Sequence, residues 1–115
     1  MNWIDGHIDL AYVALMGRTI LIPCRNPEEE CISIPDLKQS PIQTFFGTIY
    51  TSPSNETCGY NDSADREAAF RAGERQLKVY QTLEEDGKLQ IQQTGCTVGD
   101  ELSMLLLMEG ADPIR

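Results

Sequence analysis

The sequence predicts an α/β fold built on parallel strands, and three stretches predict it. Ser103-Met104-Leu105-Leu106-Leu107-Met108 is a continuous apolar run that ends on Glu109. Unbroken rather than alternating hydrophobicity is the pattern of a parallel strand buried on both faces. Gln43 to Thr51 is aromatic and β-branched, the composition of a strand. Between them, Ser63 to about Asp86 reads as one long helix that packs one face.

Taken in order, Trp3 to Leu10 reads as a strand running into a loop, with Ile4, Ile8 and Leu10 at period two. Ala11 to Met16 is a short helical continuation ended by Gly17. Pro23 to Pro41 is proline-rich, carries the Glu28-Glu29-Glu30 run and lacks periodicity, so it predicts a long loop with a short extended piece at Cys31 to Ile34. Ser52 to Asn61 is a second loop. Ser63 is the expected N-cap of the long helix, with Asp65 and Glu67 in its first turn, where the helix dipole favours acids. Ala69, Gly73, Leu77, Tyr80 and Glu84 share one row of that helix, flanked by Ala72, Val79 and Leu83, and Gly87 closes it. Leu89 to Gln92 is a short strand and Gly95 to Asp100 a turn or loop. After Glu109, Gly110 to Pro113 fits a tight turn into a helix, with Asp112 as N-cap and Pro113 at N1. The expectation is one partial domain over residues 1–115, the opening part of a larger α/β domain. Its last strand then has an open edge and uncovered apolar faces, which further chain or association would have to cover.

The 115 residues hold 9 Lys+Arg against 18 Asp+Glu, a formal net charge of -9. An acidic field of this size repels phosphate and argues against nucleic acid and anionic membranes as partners. Hydrophobic residues make up 41%, enough for a packed core. The chain has neither a transmembrane-length apolar run nor a basic n-region followed by an apolar stretch, so a cytoplasmic protein is expected. Cys24, Cys31, Cys58 and Cys96 make no C-x-x-C pair, and His7 is the only histidine, so a Cys/His zinc module is disfavoured and free thiols are expected. Ser52, Ser54 and Ser63 have no nearby histidine base. Glu28-Glu29-Glu30 reads as a solvated loop, and Asn55-Glu56-Thr57 has only the form of a glycosylation acceptor.

The densest chemical signal is Asp5-Gly6-His7-Ile8-Asp9. On an extended strand residues i and i+2 point to one side, so His7 and Asp9 can converge on a metal as one imidazole and one carboxylate. The plain alternative is a surface histidine beside a capping aspartate. Glu109 ends a buried strand, and parallel sheets place their sites at that carboxyl edge. Its plain alternative is a helix N-terminal acid or a strand-ending loop residue. Together the two signals predict that His7, Asp9 and Glu109 meet at the carboxyl ends of adjacent or near-adjacent parallel strands.

Here the sequence resembles the membrane dipeptidase (renal dipeptidase) family of metallopeptidases. The resemblance rests on Ile4-Asp5-Gly6-His7-Ile8-Asp9-Leu10, then Ile34-Pro35-Asp36-Leu37 and the strand Gln43 to Thr51, the helix through Leu77 and Tyr80, and Leu107-Met108-Glu109-Gly110. It implies the N-terminal portion of a (β/α)8 TIM-type metallo-hydrolase barrel with two zinc ions. His7 and Asp9 match ligands of the first zinc and Glu109 the glutamate bridging both ions, while Asp5 reads as a strand-end residue or as one that orients a ligand by accepting a hydrogen bond. The implied reaction is dipeptide hydrolysis, with the metals polarising the scissile carbonyl and stabilising the oxyanion. The family's further histidines and its substrate-binding His and Arg come from later strands and have no counterpart here, and such a barrel takes roughly 250 residues. The chain alone is therefore expected to be inactive, its partners being a dipeptide and the rest of the barrel or a second copy. The other reading is a small acidic non-catalytic α/β interaction module in which His7 is incidental.

Overall fold

Every strand of the computed structural model, which describes residues 3–26, 32–53, 58–93 and 101–114, runs parallel to its neighbours. The elements are β1 (Trp3–Ile8), α1 (Leu10–Leu15), α2 (Ile34–Gln39), β2 (Ile42–Tyr50), α3 (Arg66–Glu85), β3 (Gln90–Ile91) and β4 (Ser103–Glu109). They form a four-stranded sheet in the order β1-β2-β4-β3. The fold is thus mixed α/β with a small parallel sheet. The features expected at Cys31, Cys96, Glu28-Glu29-Glu30, Asn55 to Thr57 and Gly95 to Asp100 fall, wholly or in part, outside the described residues.

β2 is the central strand. It pairs with β4 without irregularity from Thr44↔Ser103 to Tyr50↔Glu109. Side chains alternate between faces along a strand. Phe45, Gly47 and Ile49 of β2 therefore share a face with Met104, Leu106 and Met108 of β4. α3 covers this face at Gly47, where a Cβ would meet the Met104 side chain and Tyr80 Cζ, 3.0 Å away. Phe45, Met104 and Tyr80 are fully buried there. The Tyr80 hydroxyl donates to Thr48 O at 2.8 Å and accepts from Ala11 N–H at 3.3 Å, which ties α3 to both β2 and α1.

Three local expectations are corrected. α2 lies inside the stretch read as loop. Ser33 caps it by accepting from Asp36 N–H, and Pro35 sits in its first turn, where a missing N–H costs nothing. α3 is capped by Asp65, whose carboxylate accepts from Ala68 N–H at 2.9 Å, and not by Ser63, because residues 62–65 close a turn of their own. Its buried face includes Gln76, which the apolar pattern passed over. Gln76 Oε1 accepts from Tyr50 N–H at 2.9 Å and its Nε2 donates to Tyr50 O, so it closes the end of β2.

Two apolar stretches are less buried than their patterns predict. Leu106 and Met108 of β4 are 42% and 44% exposed. β3 pairs only with Ser103 and Met104, and Tyr80 of α3 reaches β4 at Met104, so the distal half of β4 lacks cover among the described residues. Ile4 is 69% exposed because β1 is an edge strand whose pairing shifts register on both sides of Ile4-Asp5, whereas Ile8 and Leu10 are buried as expected. Beyond Glu109 the chain makes the expected tight turn through residues 110–113. Tyr60 Oη donates to Asp112 at 3.0 Å, and a Cβ on Gly73 would lie 2.6 Å from Pro113, so this turn is clamped directly onto α3. No helix of the described residues is long and apolar enough to cross a membrane.

Burial pushes the Tyr80 hydroxyl up to about 12, against a smaller lowering by the Ala11 N–H. A raised value means the folded state holds its proton more tightly than the unfolded state. The resulting stability is complete below the unfolded tyrosine value of about 10 and drains away as pH rises toward the folded one. Tyr80→Phe should cost about 1–3 kcal/mol at neutral pH by leaving Ala11 N–H and Thr48 O without this partner. The gap between wild type and variant in chemical denaturation should narrow between pH 10 and 12.

Candidate metal centre

The site begins at an irregularity in β1. Pairing with β2 shifts register between Asp5 and Ile8. Across that shift Asp5 Oδ1 accepts from the His7 backbone N–H at 2.9 Å, the kind of local bond short acids make when the ladder is interrupted. This anchors the backbone from which the His7 ring projects. Asp9 follows β1 and precedes α1, yet its side chain makes no capping hydrogen bond. It turns instead to His7, so the capping alternative does not hold.

Glu109 arrives from the far end of the chain on β4. Its face is set by alternation: it shares the side of Leu107, whose partner in β2 is Thr48, opposite the face covered by α3. Gly110, with φ +86°, lets the backbone turn immediately afterwards in a conformation that disfavours side chains.

His7, Asp9 and Glu109 come together as expected, at the ends of β1 and β4, with β2 between those strands. His7 Nε2 lies 3.1 Å from Asp9 Oδ1 and 3.3 Å from Glu109 Oε2. One donor atom from each residue falls within 4.8 Å of the others. All three side chains are about half exposed. A single ring nitrogen thus faces two carboxylates and can offer them one hydrogen at most. Even a doubly protonated ring would leave the trio with net negative charge, which a cation would offset.

The donor set fits zinc. One imidazole and two carboxylates leave an open coordination position, as catalytic zinc sites do. Ligand bonds near 2.0–2.2 Å on a tetrahedral ion place neighbouring ligand atoms about 3.4 Å apart, close to the spacing of His7 from each acid. Exposed acids beside a histidine are nonetheless common without a metal.

One contributor is invisible in the sequence pattern. Thr48 is fully buried in β2 and its hydroxyl donates to Asp9 Oδ1, the same oxygen that meets His7. It thereby fixes the rotation of the Asp9 carboxylate and leaves Oδ2 free of these two bonds. Within Gln43 to Thr51 it reads only as one more β-branched residue. Nothing marks it until β2 is known to lie between β1 and β4.

Comparison of the chain with protein-family models, with curated proteins and with solved structures finds no match.

Thr48→Val keeps the shape and removes the donor. Loss of a group that orients a ligand typically weakens metal binding about 10–100-fold. Zinc titration calorimetry should show a drop of that order in Thr48→Val and a smaller one in Thr48→Ser, which keeps the hydroxyl.

Proposed function

We propose that the chain is the opening part of a zinc-dependent dipeptidase barrel of the membrane dipeptidase type, with His7, Asp9 and Glu109 as ligands. The observation that carries this reading is the convergence of His7 on β1, Asp9 just after it and Glu109 on β4, from opposite ends of the sequence. Two features support it further. The parallel β1-β2-β4 arrangement, joined through intervening helices, suits the first strands of a larger barrel. The exposed Leu106 and Met108 offer an apolar surface for the remainder of such a barrel or for a second copy.

Zinc held there would supply Lewis acidity toward a scissile carbonyl and toward water. The chain's own residues do the rest. His7 offers neutral Nε2 as a ligand, with its backbone held through Asp5. Asp9 is kept in one rotation by Thr48. Glu109 meets His7 through Oε2 and would be the carboxylate shared with the second ion that the resemblance implies. With His7 the only histidine in 115 residues, this chain lacks the imidazole ligands of that second ion. Hydrolysis therefore requires more than these residues provide.

The acidic non-catalytic module is the second reading. It is favoured by His7 lying at direct hydrogen-bond distance from Asp9, a contact that needs no metal. Calorimetric zinc titration of wild type and His7→Ala separates the two. The dipeptidase reading expects at least tenfold weaker binding in His7→Ala than in wild type. Equal affinities would remove His7 from the site and favour the module. Dipeptide turnover by the 115-residue chain should stay at background, and measurable turnover would show that the further histidines are dispensable.

A further inference from the structure

A recess of about 460 Å³ opens beside the triad, with His7 and Asp9 among its lining residues. Val13 of α1, Leu37 of α2, Ile42 of β2 and Ile32 give it an apolar wall. An apolar cleft of some 300–1,000 Å³ with a few convergent polar groups is how small-molecule sites are commonly built. Two further carboxylates border it, and both are held by hydrogen bonds. Asp5 accepts from His7 N–H at 2.9 Å. Asp36 accepts from Ser33 Oγ–H at 2.6 Å and from Cys24 N–H at 2.9 Å. The Ser33 hydroxyl, and after it Cys24, hold the Asp36 carboxyl below its ordinary value, so this border stays anionic at neutral pH. The recess therefore joins an apolar wall, a negatively charged border and the metal-ligand corner in one continuous space.

We propose that this recess receives the aliphatic side chain of one residue of the dipeptide whose carbonyl meets the His7–Asp9–Glu109 corner, and that it discriminates against acidic side chains. The assignment rests on the dipeptidase reading and adds a substrate class to it. An aliphatic group leaves water for the wall formed by Val13, Leu37 and Ile42. An aspartyl or glutamyl group would bring a further negative charge to Asp5 and Asp36.

The test is methyl NMR of the zinc-loaded chain, labelled at Ile, Leu and Val and titrated with Gly-Leu, Leu-Gly, Gly-Gly and Gly-Asp. The expected result is that a leucyl dipeptide shifts the methyls of Val13, Leu37 and Ile42, that Gly-Gly leaves them in place, and that Gly-Asp binds at least tenfold more weakly. Val13→Phe should narrow the recess and lower the ratio of leucyl to glycyl binding at least tenfold, with zinc affinity retained as the check on folding. Absence of dipeptide binding, or leucyl binding that leaves those methyls unmoved, would overturn the proposal. Leucyl shifts that appear equally without zinc and in His7→Ala would keep the recess and remove the dipeptidase reading. Zinc-dependent dipeptide binding without methyl shifts would remove the recess alone.

Discussion

The unbroken parallel pairing of β2 with β4 is the constraint on which the rest depends. From Thr44↔Ser103 to Tyr50↔Glu109 no register shift intervenes. Because side chains alternate, a slip of one residue would carry Glu109 to the opposite face of the sheet and end its meeting with His7. Packing resists that slip. Gly47 leaves space that Met104 and Tyr80 fill, and a slipped β4 would present a different side chain to that space. At the end of the strand, Gln76 holds the backbone of Tyr50, the residue that pairs with Glu109.

The two faces of the central strands divide the work. One is apolar and is closed by Tyr80 and its helix around Phe45, Gly47 and Met104. The other carries the small polar residues Thr44, Thr48 and Ser103, all buried, and ends on Glu109. Tyr80 links the two faces, because its hydroxyl bonds to the carbonyl of Thr48, whose own hydroxyl orients Asp9. A helix–sheet packing contact thus lies two hydrogen bonds away from a candidate metal ligand. The clamp of the 110–114 turn by Tyr60 and by the close approach of Pro113 to Gly73 acts at the other end, on the backbone just beyond Glu109.

What the sequence revealed, and what it hid, follows from the range of the interactions. β1, β2, α3 and β4 announce themselves through local periodicity. His7, Asp9 and Glu109 were readable because two are spaced i, i+2 on a strand and the third ends an apolar run. α2 was hidden by prolines, although Ser33 and Pro35 sit where a helix start wants them. Gln76 and Thr48 were missed for a different reason. They are polar, fully buried and satisfied by partners remote in sequence, so no pattern of apolar residues can find them. The exposure of Leu106 and Met108 escapes the sequence pattern because a continuous apolar run states what a strand can bury, while burial depends on the neighbours that cover it. The barrel and the dipeptidase chemistry rest on resemblance and on the geometry of three side chains.

The measurement that tests this account most directly is zinc-edge X-ray absorption on the zinc-loaded chain. Nitrogen and oxygen ligands are expected at about 2.0–2.2 Å from the zinc, with the more distant scattering of a single imidazole ring. A sulfur shell at about 2.3 Å would place the metal on cysteine instead. Either that shell or a spectrum without imidazole scattering would contradict the assignment of His7, Asp9 and Glu109.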